Sequence, residues 1–179
     1  MIGRLVSGGQ SGVDRAALDV ALELGVSCGG WCPKDRKAED GPILDRYPLK
    51  ETPSSEYSQR TQWNVRDSDG TLILAWGEPT GGTLLTADVC RGTGKPYLVI
   101  DLADEGNRTA AIQAAREWIA ANLAGGVLNV AGPRASEHPA VYEQTRAFLR
   151  AVLGEATGDG TETSSPSLRG NATRSGEVA

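Results

Sequence analysis

A glycine-rich segment directly after the first apolar run of the chain carries the strongest chemical signal in the sequence. It reads Ser7-Gly8-Gly9-Gln10-Ser11-Gly12-Val13-Asp14, and a helical pattern begins at its end. Glycines let the backbone turn sharply and let a ligand approach it closely, while free N–H groups at a helix N-terminus favour an anion. The segment is neither the G-x-G-x-x-G of dinucleotide enzymes nor a Walker loop. It predicts a phosphate-binding turn whose candidate contacts are Gly8, Gly9, Gln10, Ser11, Gly12 and Asp14.

The same segment has a simpler interpretation as a tight turn that caps a helix. Ser11 followed three residues later by Asp14 fits a capping box. A capping box alone does not require three glycines, so we favour the phosphate interpretation and expect the capping role beside it.

Two further glycine-bearing turns follow apolar runs later in the chain. The turn from Pro79 to Thr86 places paired glycines where a helix should start, and the turn from Gly132 to Ser136 carries an arginine suited to a carboxylate or phosphate. A threonine-capped turn and a solvated loop arginine are the respective alternatives. Ligands of open parallel sheets bind outside the carboxyl ends of the strands, so the three turns should converge there. The added candidate contacts are Gly81, Gly82, Thr83, Thr86, Gly132, Arg134 and Ser136.

The segment from residue 32 to residue 66 is too long for a simple connection and should carry structure or function of its own. Lys34 and Arg36 lie in a run of cations and are candidates to neutralise an anionic ligand, with a solvated charge run as the alternative. A helix is predicted from about residue 55 to residue 67, with Ser55 as its cap. On that helix Arg60 and Asn64 share a face and are candidates to reach the cleft.

Metal and nucleophile chemistry find little support in the sequence. Cys28 and Cys32 have no second pair of ligands for a structural zinc site, and we assign no metal ligand. His138 is the only histidine, and it lies in a loop before Pro139 where we expect it to be exposed. No nucleophile motif accompanies it, so no catalytic residue is assigned.

Short apolar runs alternate with helical patterns along the chain, which is typical of stacked β-α units. Strands are predicted at residues 2–6, 26–31, 71–76, 96–100 and 127–131, and helices at 13–24, 83–91, 109–123 and 140–153. The sequence therefore predicts one α/β domain over residues 1–153, with a Rossmann-like open parallel sheet flanked by helices on both faces. Residues 154–179, rich in Gly, Ser and Thr, are predicted to be a disordered tail.

The composition argues against several classes of protein. A net charge of −5 disfavours a nucleic-acid binder, because such proteins usually present a basic face. No stretch approaches the roughly 18 apolar residues of a membrane span, and nothing at the N-terminus resembles a targeting segment. The three cysteines are an odd number, which argues against a disulfide framework. We expect a cytoplasmic protein whose partners include neither nucleic acid nor a membrane.

Five ordered motifs resemble those of the molybdenum cofactor carrier protein family, and together they cover roughly residues 1–153. They are Ser7 to Asp14, Gly30 to Lys34 with Ala38 to Gly41, Arg60 to Val65, Gly81 to Thr83, and Asn129 to Arg134. The resemblance implies a Rossmann-like fold shared with lysine-decarboxylase-like phosphoribohydrolases. It also implies a homo-oligomer, a dimer or tetramer, that binds molybdenum cofactor, a phosphorylated molybdopterin whose dithiolene sulfurs hold molybdenum. By analogy, the turns at residues 8–12 and 81–83 would receive its anionic parts.

Two positions depart from the patterns of these relatives. The related hydrolases carry an active-site glutamate where this chain has Thr86, which disfavours that hydrolysis unless another acid such as Asp88 substitutes. Asp35 stands where the carrier family more often has glycine, which weakens the case for Lys34 and Arg36 as ligand contacts.

The favoured hypothesis is a binding protein that stores or delivers molybdenum cofactor without turnover, with molybdoenzyme apoproteins as candidate partners. The alternative is a nucleotide-processing enzyme similar to nucleoside-monophosphate phosphoribohydrolases, acting in the same cleft. A nucleotide-sensing regulatory module is a third interpretation for which the sequence offers no specific feature.

Overall fold

The central sheet of the protein, described here from a computed structural model, is open, five-stranded and entirely parallel. The structure describes residues 1–154, so the predicted tail lies outside the described residues apart from Gly154. The order across the sheet is β2-β1-β9-β7-β8, which confirms the predicted Rossmann-like α/β class. All strands in chain order are β1 (Arg4–Val6), β2 (Cys28–Gly29), β3 (Trp31–Cys32), β4 (Lys37–Ala38), β5 (Gly41–Pro42), β6 (Lys50–Glu51), β7 (Gly70–Ala75), β8 (Tyr97–Asp101) and β9 (Val127–Ala131).

Five α-helices flank the sheet, in two groups. In chain order they are α1 (Val13–Glu23), α2 (Tyr57–Arg66), α3 (Gly81–Thr93), α4 (Arg108–Asn122) and α5 (Val141–Leu153). Helix α5 packs on both α1 and α4, whereas α2 packs on α3. Because β-α-β crossovers are right-handed, α1 and α3, which lead to opposite edges of the sheet, lie on opposite faces. All of β7 is buried, as expected for a strand covered on both faces.

The strand order places the carboxyl ends of three strands side by side. β9 lies between β1 and β7 and pairs in parallel with both. The chain leaves β1 towards β2 on one side and leaves β7 towards β8 on the other, so these connections diverge across β9. Such divergence opens a crevice at the carboxyl edge of a sheet. The turns after β1, β7 and β9 therefore border one crevice.

The long segment between β2 and β7 has structure of its own, as expected. β3 pairs in parallel with β6, and β4 and β5 form a short antiparallel hairpin. Helix α2 is anchored to β3 by Asn64, whose amide oxygen accepts the N–H of Trp31 at 2.8 Å and whose amide nitrogen donates to the Trp31 carbonyl at 2.9 Å. Asn64 is buried, and its two bonds satisfy the backbone groups of Trp31 on the side away from β6.

Several predicted boundaries are wrong because tertiary contacts set them. The helix predicted from residue 55 begins at Tyr57, and the residue before it is Glu56, so Ser55 is not its cap. Helix α3 begins at Gly81, earlier than predicted, and passes through Gly92 to end at Thr93, just before Gly94, whose φ is 67°. The single strand predicted at 26–31 is divided into β2 and β3 by residue 30, a glycine with a φ of 130°.

The part of the chain that the structure describes contains no helix long and apolar enough to cross a membrane. It also brings no three His, Cys, Asp or Glu side chains into an arrangement that would hold a metal ion. Cys28, Cys32 and Cys90 are free thiols, and burial raises the pKa of each of them. A raised pKa lowers the thiolate fraction, so these cysteines are packing residues rather than reactive ones.

Replacing Asn64 by leucine should lower the free energy of unfolding by about 2–5 kcal/mol, because the buried backbone groups of Trp31 lose their partners. Urea denaturation followed by circular dichroism measures the change. Gln62→Leu is the matched control, since Gln62 is exposed on the same helix and should alter stability by less than about 0.5 kcal/mol. Equal stability of the two variants would contradict the anchoring role of Asn64.

Candidate functional site

The turns after β1, β7 and β9 meet in one cleft at the carboxyl edge of the sheet, as expected. The cleft has two adjoining hollows of about 180 and about 320 Å³, which share Thr83 and Glu137. Their combined size suits a small molecule, since such sites usually span roughly 300–1,000 Å³. The smaller, here called the arginine hollow, is lined by Gln10, Asp14, Tyr57, Arg60, Thr61, Gly82, Thr83, Leu85, Thr86, Ala131, Gly132, Arg134 and Glu137.

A buried ion pair lies in the arginine hollow. Asp14, at the start of α1, and Arg60, in the middle of α2, are 3.2 Å apart between Oδ2 and Nη1, and their side chains are 2% and 14% exposed. A Cβ at Gly8 would collide with the guanidinium of Arg60 and lie 2.8 Å from Asp14 Oδ2. Gly8 is therefore explained by the packing of Arg60, a role that the sequence did not reveal.

Burial raises the pKa of the Asp14 carboxyl above its ordinary value, and the Arg60 guanidinium and the N–H of Gln10 oppose that rise. The Gln10 N–H donates to Asp14 Oδ2 at 3.2 Å. The buried Nε of Arg60 has no hydrogen-bond partner within residues 1–154. The hollow therefore contains an acid whose pKa is raised by burial and a guanidinium whose donors are incompletely used.

The glycines of the first turn and those before α3 have different surroundings. Gly9 and Gly12 have φ values of 76° and 81°, and a Cβ on them would lie 2.5 and 2.6 Å from neighbouring protein atoms. Chain conformation and packing therefore require glycine at both positions. By contrast, a Cβ on Gly81 or Gly82 would have no neighbour within 4 Å among residues 1–154. The openly accessible glycine backbone of the cleft is at the start of α3.

The N-terminus of α3 presents backbone donors that the protein does not use. The N–H groups of Thr83 and Leu84 donate to the Thr80 carbonyl at 3.0 and 3.1 Å, whereas those of Gly81 and Gly82 have no acceptor among the described residues. The first turn of this helix carries no acidic residue. Free N–H groups and the helix dipole together favour an anion at this position.

Gln10 and Ser11 hold loops together instead of capping α1. The residue before α1 is Gly12 and no side chain caps the helix, so the capping-box prediction is wrong. Ser11 Oγ accepts the N–H of Ala135 at 3.1 Å and donates to Glu39. The amide oxygen of Gln10 accepts the N–H groups of Ser11 and Glu39 at 3.0 and 2.9 Å. These two side chains thus join the first turn to the β4–β5 hairpin and to the turn after β9.

Glu39 also belongs to this junction and accepts hydrogen bonds from the turn after β9. Its carboxylate accepts the N–H and the hydroxyl of Ser136 at 3.1 and 2.5 Å and lies 3.7 Å from Arg134 Nε. Partial burial acts to raise the pKa of Glu39, but hydrogen bonds from Ser11 and Ser136 outweigh it and lower the pKa. Arg134 also pairs with Glu137 at 2.9 Å. Arg134 and Ser136 are therefore already engaged by carboxylates of the protein itself.

Helix α3 supplies no carboxylate to the cleft. Thr86, at the position of the hydrolase glutamate, is buried and donates from Oγ1 to the Gly82 carbonyl at 3.0 Å. Asp88 is exposed, pairs with Arg91 at 2.6 Å and lines neither hollow. Asp88 is therefore not placed to substitute for the missing glutamate in this cleft.

Nine of the seventeen predicted ligand contacts line neither hollow, namely Gly8, Gly9, Ser11, Gly12, Lys34, Arg36, Asn64, Gly81 and Ser136. The guanidinium of Arg36 donates to three backbone carbonyls within residues 43–47, at 2.8 to 3.0 Å, and so stabilises that loop. Lys34 is exposed in a short 3₁₀ turn, and Asn64 is bonded to Trp31. The cation run therefore does not line the cleft, and Arg36 stabilises a loop of its own segment instead.

Several lining residues escaped the sequence interpretation, among them Tyr57, Trp76, Glu78, Glu137 and His138. His138 is half-buried rather than exposed, and its ring stacks on Trp76 with the centroids 5.3 Å apart and the planes 25° apart. A signal was available, because Trp76 directly follows β7, Glu78 lies in the turn after it, and residues 137–138 extend the turn after β9. Considering every residue of these turns, and not only the glycines and cations, would have found four of these five.

Gly8→Ala should lower the free energy of unfolding by roughly 1–3 kcal/mol, because the new methyl group overlaps the buried Arg60 guanidinium. Gly82→Ala adds the same group in open space within a helix and should leave stability unchanged or raise it by up to about 1 kcal/mol. Thermal and urea unfolding of the two variants test the difference. If Gly8→Ala were as stable as Gly82→Ala, the packing role of Gly8 would be refuted.

Comparisons with known proteins agree with this architecture. The model of the circularly permutated YpsA SLOG family matches residues 5–153. The chain is also similar to a crystal structure from Syntrophus aciditrophicus SB, described as that of a "Putative molybdenum carrier protein", with 44% sequence identity and a TM-score of 0.80. That match covers 85% of this chain and 95% of the other. No curated protein gives a significant match. On its sequence, which the family model matches almost from β1 to the end of α5, the chain belongs to the circularly permutated YpsA SLOG family.

Proposed function

We propose that this protein binds molybdenum cofactor, a phosphorylated molybdopterin, and stores or delivers it without turnover. The observation that carries the proposal is the open start of α3, where Gly82 lines the same hollow as Arg60 and Arg134. Similarity to a protein named as a molybdenum carrier supports this choice of cargo. The proposal includes a cytoplasmic homo-oligomer, a dimer or tetramer, that hands the cofactor to molybdoenzyme apoproteins.

The donors in the cleft suit a phosphate rather than a bare metal ion. Backbone N–H groups at a helix N-terminus and guanidinium groups are the usual partners of phosphate oxygens. The described residues provide no cluster of metal-binding side chains. The molybdenum would therefore stay on the dithiolene sulfurs of the cargo, while the protein holds the organic part and its phosphate.

Binding without turnover is supported by the positions and the ion pairs of the acidic side chains in and near the cleft. Thr86 replaces the hydrolase glutamate, and Asp88 lies outside the cleft. A phosphoribohydrolase acting on nucleoside monophosphates would have to use Asp14, Glu78 or Glu137. Asp14 and Glu137 are each paired with an arginine, and Glu78 lines a different hollow from Asp14 and Arg60. Release of ribose 5-phosphate from AMP or GMP by the purified protein would favour this alternative.

Gly82→Val should abolish retention of the cofactor, because the added side chain occupies the space in front of the free N–H groups of α3. Gly92→Val is the matched control, since Gly92 lies on the same helix, also has no neighbour within 4 Å of a Cβ, and lines neither hollow. The pterin released from each purified protein is measured by fluorescence after oxidation. Equal cofactor content in the two variants would exclude the start of α3 as the phosphate site.

Anion affinity should decrease as the pH rises through the raised pKa of Asp14. Below that pKa the carboxyl is neutral and leaves Arg60 to the anion, and above it the carboxylate both occupies Arg60 and repels the ligand. Sulfate is a suitable probe because it keeps its charge above the ordinary pKa of a carboxyl group, and calorimetric titration over that range gives its affinity.

Asp14→Asn should flatten this pH dependence, whereas Asp88→Asn, which removes an exposed acid outside the cleft, should preserve it. A pH dependence that survives in Asp14→Asn would show that Asp14 is not the titrating group.

A further inference from the structure

The larger hollow of the cleft, of about 320 Å³, has a chemical character different from that of the arginine hollow. It lies where the carboxyl ends of β7 and β9 adjoin, and we call it the tryptophan hollow. Flat side chains provide much of its wall, in the form of Trp76, Pro79, Pro133 and His138. No lysine or arginine is among its lining residues. A site of this composition suits a planar, uncharged ring better than a phosphate.

Trp76 and His138 form an aromatic pair in the tryptophan hollow. Trp76 Nε1 donates to the Gln144 amide oxygen of α5 at 2.6 Å, which fixes the indole. His138 stacks on that indole, and its Nδ1 has no hydrogen-bond partner within the described chain. The imidazole is therefore positioned by stacking, and a ligand ring can pack against the pair without breaking a hydrogen bond of Nδ1.

The polar groups of the tryptophan hollow are mainly acceptors. Its two charged residues are Glu78 and Glu137. Glu137 is paired with Arg134, whereas Glu78 forms no ion pair with any residue from 1 to 154. A free carboxylate beside a flat wall accepts two parallel N–H bonds from the edge of a ring that carries an amino group next to a ring N–H.

We propose that the tryptophan hollow binds the planar heterocycle of the ligand, and that Glu78 accepts hydrogen bonds from an amino–amide edge of that ring. The inference rests on the proposed function, because it places the ring beside a phosphate held in the arginine hollow. Glu78 repels a phosphate from the tryptophan hollow, while Arg60 and the start of α3 attract it to the arginine hollow. The ligand is thereby oriented in one direction across Thr83, which both hollows share. The edge in question, 2-amino-4-oxopyrimidine, occurs in both pterins and guanine.

The test compares ligands that carry a phosphate, a planar ring, or both. Calorimetric titration is done on the full chain with ribose 5-phosphate, GMP, AMP and unsubstituted pterin. We expect GMP to bind at least tenfold more tightly than ribose 5-phosphate, because stacking of a base on aromatic side chains contributes about 1–3 kcal/mol. GMP should also bind more tightly than AMP, whose ring offers an amino group without the neighbouring N–H. Detectable binding of pterin, which has no phosphate, identifies a pterin ligand, whereas binding of GMP alone identifies a guanine nucleotide.

Two variants separate the halves of the cleft. His138→Leu should lower GMP affinity about tenfold and leave ribose 5-phosphate affinity unchanged, whereas Gly82→Val should reduce both. Glu78→Ala should remove the preference for GMP over AMP. Equal affinities of wild-type protein for GMP and ribose 5-phosphate, or equal losses for both ligands in His138→Leu, would overturn the ring site and leave the proposed function intact. If neither phosphate ligand nor pterin binds, both proposals fail.

Discussion

The buried contact between Arg60 and Asp14 is the constraint on which the cleft depends. It joins α2, which belongs to the long segment over the sheet, to the first turn of α1. Removing one partner of such a pair leaves an uncompensated buried charge, at a cost of about 3–5 kcal/mol. Gly8 is required because a Cβ at this position would collide with the Arg60 guanidinium. The amide of Asn64 fixes the position of α2 through its two hydrogen bonds to Trp31. The segment from residue 31 to residue 66 therefore completes the cleft and is more than a connection.

Around this pair the cleft is divided by charge. On the side of β1 and α2, two guanidinium groups and the unused donors of α3 face the arginine hollow. Where the ends of β7 and β9 adjoin, the tryptophan hollow has carboxylates and flat side chains, and none of the described residues that line it is a cation. The division follows from the strand order, because β9 brings its turn between those of β1 and β7 and contributes Arg134 to one side and His138 to the other. The turn after β9 thus contributes residues to both hollows.

The fold could be predicted from the sequence because alternating apolar runs and amphipathic helical patterns indicate a parallel sheet whatever the individual side chains are. The convergence of the three turns could also be predicted, since it depends only on where parallel strands end. The role of Ser11 could not be predicted, because its hydroxyl forms hydrogen bonds with Glu39 and Ala135, which are distant in sequence. The roles of Gly8, Gly9 and Gly12 were hidden for the same reason, as their neighbours are contributed by other loops. Arg36 was misleading because its partners are the carbonyls of its own loop, which no charge pattern reveals.

Native mass spectrometry of the full chain, purified without oxygen from a molybdenum-replete host, shows whether the protein carries molybdenum cofactor. We expect a bound mass equal to that of molybdopterin carrying molybdenum, near one per subunit, in a homo-oligomer whose subunit number the same spectrum gives. A bound nucleotide mass, or an empty protein that takes up only nucleoside monophosphates, would contradict the carrier function and favour the phosphoribohydrolase-like enzyme.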